Sequence, residues 1–279
     1  MVHQAKDDNV ADLTGRKALV TGAAHPEGIG QGIVGALLRA GADVIFSDVD
    51  DDAALRSLEI LDREHGQGRT HYLHHDVSSE QDWVRVREEI VARFEGLDIL
   101  VNNAGSSFAG TLETVELEHL QRCMAVNFES QFLGLKTFRN ILVKRSTYWA
   151  GGTTVINNSS IGAYTGDPSN LPYSVSKAAA RMLTMCAARE LGPHKVRVNS
   201  IHVGMIDTPL LRASFARRVQ LGQALDVEEL QENLKSRVPL GRIGTPDDAG
   251  ELTAFLASDA AQYITAASFV CDGGMLTKV

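Results

Sequence analysis

The chain has 279 residues, 44% of them apolar and 22% charged, with 35 acidic against 27 basic side chains and a formal net charge of −8. That length and apolar content suffice for one large α/β domain with a buried core. The acidic balance, interrupted by no basic cluster longer than Lys144-Arg145, disfavours a nucleic acid or an anionic membrane surface as partner. No run of about 18 apolar residues and no basic-then-apolar start occurs, so neither a membrane-spanning helix nor a signal peptide is expected, and the expected location is cytoplasmic. Cys123, Cys186 and Cys271 are far apart and odd in number, which fits buried thiols in a reducing compartment better than disulfides or a metal site.

In chain order, residues 1–12 read as a polar, frayed tail and residues 13–279 as a single domain. Lys17 to Thr21 form a short buried strand, followed by Gly22-Ala-Ala-His-Pro-Glu-Gly28-Ile-Gly30 and then a helical pattern at Ile33, Val34, Ala36, Leu37 and Leu38. A strand, a glycine-rich turn and a helix are the parts of a dinucleotide site. Glycines let the backbone approach a pyrophosphate, whose charge meets unpaired N–H groups at the helix start. The next strand, 43–48, ends in Asp48, about twenty residues beyond the glycines, where a carboxylate accepts from ribose hydroxyls and repels a 2′-phosphate. The expected cofactor is therefore NAD rather than NADP, and Glu27 inside the turn points the same way. Asp50, Asp51 and Asp52 read as a charged turn before a helix. A third strand at 70–75 contains His71, His74 and His75, but alternation places them on opposite faces, so no metal site is expected.

Further strands follow at 98–102, 152–158, 195–201 and 267–271. Strands alternating with helical patterns imply a Rossmann-type, doubly wound parallel sheet of seven strands with helices on both faces. The stretch 205–240 has no strand and carries Met205, Leu210, Leu211, Phe215 and Leu221, so it reads as a partly helical lid over a substrate.

Tyr173 and Lys177 stand four apart, thirteen positions after Ser160. On a helix they share a face, so a phenol and an ammonium point into the same space. The expectation is that the cation draws the phenol pKa down towards working pH, while a Ser hydroxyl holds the oxygen of an alcohol or ketone.

With these motifs in order, the chain resembles the short-chain dehydrogenase/reductase family from about Leu13 to Met275. The resemblance implies a catalytic set of Asn127, Ser160, Tyr173 and Lys177, with Asn127 supporting a water-linked proton path. It implies a cofactor-binding set of Gly22, Glu27, Gly28, Ile29, Gly30, Asp48, Val49, Asp76, Val77, Asn103, Ala104, Gly105, Val203, Gly204, Ile206 and Thr208, joined by Tyr173 and Lys177. Asp76 would face the adenine, and Lys177 would also bind the nicotinamide ribose. Two departures stand out. The turn from Gly22 to Gly28 is two residues longer than usual through His25-Pro26-Glu27, and Val203-Gly204 replaces the usual Pro-Gly, losing the proline's fixed φ.

Residues and resemblance together imply NAD-dependent, reversible oxidation of an apolar secondary alcohol, alicyclic or steroid-like, to its ketone, with Tyr173 as acid/base. A polyol or sugar alcohol is the alternative substrate. If Arg212, Arg217 and Arg218 turned inward, a carboxylate or phosphate would be favoured instead. A non-catalytic NAD(H)-binding module has no need of all four catalytic residues. An enoyl reductase would have a longer Tyr-to-Lys separation and lack the Ser. The resemblance further implies a homotetramer or homodimer, paired through helices spanning about 108–140 and 173–191.

Overall fold

The computed structural model describes residues 11–278 except 221, 223 and 224, so Leu221 and nearly all of the expected tail at 1–12 lie outside the described residues, as do the side chains of Arg217 and Arg218. In chain order the elements are β1 (Lys17–Thr21), α1 (Ile29–Arg39), β2 (Asp43–Asp48), α2 (Asp51–His65), β3 (Thr70–His74), α3 (Glu80–Phe94), β4 (Ile99–Asn102), α4 (Leu117–Met124), α5 (Ser130–Arg145), β5 (Thr153–Ser160), α6 (Leu171–Leu191), β6 (Val196–Val203), α7 (Pro209–Gln220), α8 (Val227–Arg237), α9 (Pro246–Ala257) and β7 (Ser268–Cys271). Each expected strand is present, with ends displaced by no more than two residues.

The seven strands form one parallel sheet in the order β3-β2-β1-β4-β5-β6-β7. Every residue of β4, β5 and β6 is buried, as expected of strands covered on both faces. One apolar core, including Val20, Ile33, Leu37, Phe46 and Leu256, lies under α1, α2 and α9. A second, including Leu19, Trp83, Leu100, Phe138 and Val198, lies under α3, α5 and α6. A smaller third core joins α7 and α8 to the site side of the molecule through Ile161, Phe215, Leu230, Leu234 and Met275. The chain order reverses between β1 and β4, and the crevice beyond the carboxyl ends of strands at such a point is where ligands bind in open α/β sheets.

Two expectations need correction. The helix expected over 108–140 starts only at Leu117, because Thr111 and Thr114 close a turn, with Val115 N–H donating to Thr111 O at 2.9 Å, and Glu116 and His119 form a capping box. The preceding loop is instead tied to the approach to α6, with Gly110 N–H donating to Ser169 O at 2.8 Å. The thiols are not uniformly buried: Cys123 is buried, Cys186 exposed and Cys271 intermediate. Among the described residues no helix is long and apolar enough to cross a membrane. The histidines of β3 and its end diverge. His71 packs on Phe94, His74 meets Asp51 at 2.9 Å, and His75 packs edge-on against Trp83.

Candidate active site

The carboxyl ends of β1, β2, β4, β5 and β6 supply the site. At the end of β1, Gly22 has φ +65°, and a Cβ there would lie 2.5 Å from Ala104 Cα, so the turn and the end of β4 are in direct backbone contact. A Cβ on Gly30 would lie 2.6 Å from Gly22 O, which fixes the start of α1 against the same turn. No other residue type fits this cradle without displacing backbone, as a pyrophosphate site at a helix start requires. Asn103 locks it from the side, its Nδ2 donating to Thr21 O at 2.9 Å and Gly22 O at 2.8 Å. Thr21 Oγ1 accepts from Asn103 N–H and Ala104 N–H, each at 3.1 Å.

Asp48 is half-buried at the end of β2, one carboxylate oxygen accepting from Ala24 N–H at 2.9 Å and the other from Val49 N–H at 2.8 Å. It thus braces the enlarged turn while standing beside the crevice. Asp50 caps α2 by accepting from Ala53 N–H at 2.9 Å, as a charged turn before a helix should. Asp76 is exposed and orders its own loop through Ser78 N–H at 2.9 Å, whereas Val77 is buried, its carbonyl accepting from Trp83 Nε1 at 2.9 Å. Val203 and Ile206 are buried, Gly204 N–H donates to Cys271 O at 2.9 Å, and Thr208 O accepts from Arg212 N–H at 3.0 Å at the start of α7. The Glu27 carboxylate pairs with Arg212 of α7, which also lies 3.5 Å from Asp207. The insertion in the glycine turn therefore reaches across the crevice to the segment after β6.

Ser160 ends β5, and its Oγ accepts from Gly162 N–H at 3.1 Å. That bond leaves the hydroxyl hydrogen to donate elsewhere. Tyr173 lies in the first turn of α6, next to Pro172, and close to Ser160: a Cβ on Gly162 would lie 3.5 Å from both Ser160 Oγ and a ring carbon of Tyr173. Lys177, one turn further, is buried; its Nζ lies 5.6 Å from the centre of the Tyr173 ring and donates to Asn158 O at 3.0 Å. Asn158 Nδ2 in turn donates to Asn103 Oδ1 at 2.7 Å, so one polar chain links the glycine turn to the ammonium.

Burial changes the expected electrostatics. The Tyr173 phenol is pushed up from its ordinary value by loss of solvation, which outweighs the lowering by Ser160, and Lys177 is pushed down to about 8 by the same cause. The expected lowering of the Tyr173 pKa is therefore not met: desolvation of the phenolate is the largest influence on the buried phenol and raises it.

The hydrogen bonds of the Asn127 amide go to neither Tyr173 nor Lys177. It lies in a π-helical turn, Ala125–Glu129, between α4 and α5; its Oδ1 accepts from Ser106 N–H at 2.7 Å and its Nδ2 donates to Ser106 O at 2.8 Å and Ser176 Oγ at 2.9 Å. These bonds hold the loop after Gly105 against α6. The sequence reading missed a further group here, His202, which is fully buried and 3.0 Å from Ser160 O. Its signal was a histidine in an otherwise buried strand beside the serine's strand.

The fold is a Rossmann-type α/β sheet, with Ser160, Tyr173 and Lys177 gathered beside the glycine turn. The sequence matches, over residues 22–276, a family model described as enoyl-(acyl carrier protein) reductase. It is 35% identical over 263 residues to a 3-alpha-(or 20-beta)-hydroxysteroid dehydrogenase of Mycobacterium tuberculosis strain H37Rv, covering 94% of this chain and 90% of that protein. It is 30% identical to an NADP-dependent (R)-specific alcohol dehydrogenase of Lentilactobacillus kefiri, covering 94% and 97%. The crystal structure of a short-chain type dehydrogenase/reductase from Mycobacterium marinum superposes with a TM-score of 0.80 at 29% identity, covering 96% and 97%. The chain belongs to the short-chain dehydrogenase/reductase family, and it is an oxidoreductase that works with a nicotinamide cofactor.

Proposed function

We propose that the protein interconverts an apolar secondary alcohol, alicyclic or steroid-like, and its ketone, with NAD as the partner. The observation that carries this reading is the convergence of the Ser160 hydroxyl, the Tyr173 phenol and the buried Lys177 ammonium beside the glycine cradle. The nicotinamide, when bound, supplies hydride transfer to or from the carbinol carbon. Ser160 donates its free hydroxyl hydrogen to the substrate oxygen. Tyr173, neutral near pH 7, gives its proton to that oxygen in reduction and takes it back as phenolate in oxidation. Lys177 would hold the ribose hydroxyls and place positive charge near the phenolate as it forms. Asn127 keeps Ser106 and Ser176 in register around them.

NAD is favoured over NADP by the Asp48 carboxylate at the end of β2, although the Lentilactobacillus relative is named as NADP-dependent. An apolar substrate is favoured by the third core, which gives α7 and α8 an apolar inner side, and by the pairing of Arg212 with Glu27, which removes that cation as a ligand for an anionic substrate. The short Tyr-to-Lys spacing with Ser160 present supports carbonyl rather than enoyl chemistry. Exposed Phe132 on α5 and Val175, Met182 and Met185 on α6 support pairing of these helices in a homotetramer or homodimer, which light scattering will test. The deciding assay follows reduced-nicotinamide formation with NAD and, separately, NADP across cyclic alcohols, hydroxysteroids, linear secondary alcohols and polyols. Turnover of cyclic or steroidal alcohols with NAD, lost in Tyr173→Phe, is expected; NADP preference would overturn the role of Asp48, and NADH binding without turnover would return the non-catalytic reading.

A further inference from the structure

We infer that His202 is a positioning residue for Ser160: its imidazole holds the serine's carbonyl and thereby fixes the direction of the hydroxyl that meets the substrate oxygen. This deepens the proposed alcohol and ketone chemistry and rests on it. β5 and β6 run in parallel register, with Ser159 beside His202 and Ser160 beside Val203. From that position the His202 ring reaches along the sheet, placing Nδ1 3.0 Å from Ser160 O. A carbonyl only accepts, so Nδ1 carries the hydrogen and Nε2 is the bare nitrogen. Nε2 lies 2.9 Å from Ser200 Oγ, which donates to it, and Ser200 Oγ is also 3.3 Å from Ser268 Oγ of β7. The tautomer is thus set from one side and the contact to Ser160 made from the other.

Ser160 sits where β5 leaves the sheet for a short 3-10 turn, Ile161–Ala163. Beyond its place in the ladder beside Val203, two bonds hold it there: Gly162 N–H on its Oγ at 3.1 Å and His202 on its carbonyl. With both held, rotation about the C–O bond of the hydroxyl is the remaining freedom, and its hydrogen can swing between phenol and substrate without the oxygen moving. Removing the imidazole frees the peptide that carries the Oγ, and a misplacement on the order of 1 Å at a reacting group costs about 100-fold in rate.

The surroundings keep the ring neutral. Tyr164 packs on it with ring centres 4.8 Å apart, and Arg181 of α6 lies over Tyr164 at 4.6 Å. The charged groups that act on His202 from α6 are both cations, Arg181 and Lys177, and with burial as the leading cause they push its pKa down to about 4. The donor to Ser160 therefore stays a single, unchanging N–H across the working pH range.

The test compares wild type, His202→Leu, His202→Asn, His202→Gln, Ser160→Ala and the Ser160→Ala/His202→Leu double variant, measuring kcat, KM and the NADH dissociation constant with the best alcohol from the panel. Wild-type turnover establishes the chemistry; its absence across the panel counts against the proposed function and not against His202. Given turnover, His202→Leu is expected to lose about 10- to 100-fold in kcat with little change in NADH affinity. Asn, whose amide N–H falls where Nδ1–H stood, should recover most of it, whereas Gln, which places its amide at the Nε2 position, should not. Because His202 acts through Ser160, the double variant should be no slower than Ser160→Ala alone. A His202→Leu enzyme within twofold of wild type, a double variant in which the two losses multiply, or equal rates for Asn and Gln would each overturn the inference, and the last comparison holds even if the Leu variant does not fold.

Discussion

At the amino ends of the strands, Asp98 is fully buried and its carboxylate accepts from Lys17 N–H at 2.9 Å, Trp149 Nε1 at 2.8 Å, and Arg145 Nε and Nη2 at 2.6 and 2.9 Å. At the carboxyl ends, Lys177 is nearly as buried, but its bond to Asn158 O at 3.0 Å uses one of the three hydrogens an ammonium can donate. The first charge is bound on all sides by its own fold. The second is held in place with donors to spare. The lesson is that burial alone does not mark a functional charge; burial with donors left over for a ligand does.

This contrast is open to direct tests. Tyr173→Phe should reduce turnover about 10²- to 10⁴-fold while leaving the thermal midpoint and NADH affinity nearly unchanged, as measured by steady-state kinetics and calorimetry. Asp98→Ala should do the reverse, destabilising the fold by about 3–5 kcal/mol in urea unfolding because it strands the Arg145 guanidinium, with kcat intact in the folded fraction. If Asp98→Ala instead altered kcat, the two ends would not be separable. The buried histidines set a third test. His75 and His202 are both held down to about 4 by burial, so the unfolded chain takes up protons between roughly pH 6.5 and 4 that the folded chain refuses. Stability should fall as pH falls through that window, by up to about 3 kcal/mol for each histidine, and His202→Asn should flatten the slope. In the activity profile, the raised Tyr173 pKa predicts that alcohol oxidation climbs with pH while ketone reduction prefers the acid side, which initial rates in both directions will show. The smallest effect is expected at the Glu27 and Arg212 pair, which is exposed: Glu27→Gln should speed cofactor release about two- to fivefold in stopped-flow fluorescence, more at low ionic strength than at high.

The strands and most helices were legible because their signals are local: β-branched runs bounded by glycine and acids, and a 3.6-residue apolar period. The glycine cradle and the Tyr173 and Lys177 face were legible for the same reason. The Glu27 to Arg212 contact was not, since 185 positions separate the two and no local pattern links them. The pKa of Tyr173 was misjudged because adjacency on a helix face is written in sequence, whereas the desolvation that outweighs it depends on what packs around the phenol. The start of α4 was misplaced because the Thr111 and Thr114 turn competes with a helix through hydrogen bonds that a periodicity reading does not register.

The turn at Ala125–Glu129 carries a bond from Ser130 N–H back to Ala125 O, five residues away, so one more residue is wound into the helix there than an α-helix would hold. At 3.6 residues per turn, that residue puts α4 and α5 out of phase by about 100°. A single helical wheel drawn through both would set buried Cys123 and buried Asn127 at angles they do not occupy. Deleting one residue between 125 and 129 would hardly alter composition or helical propensity, yet it would turn α4 about its axis relative to everything that follows. The orientation of Asn127 is in this sense encoded by a count of residues, a property that no single substitution can imitate.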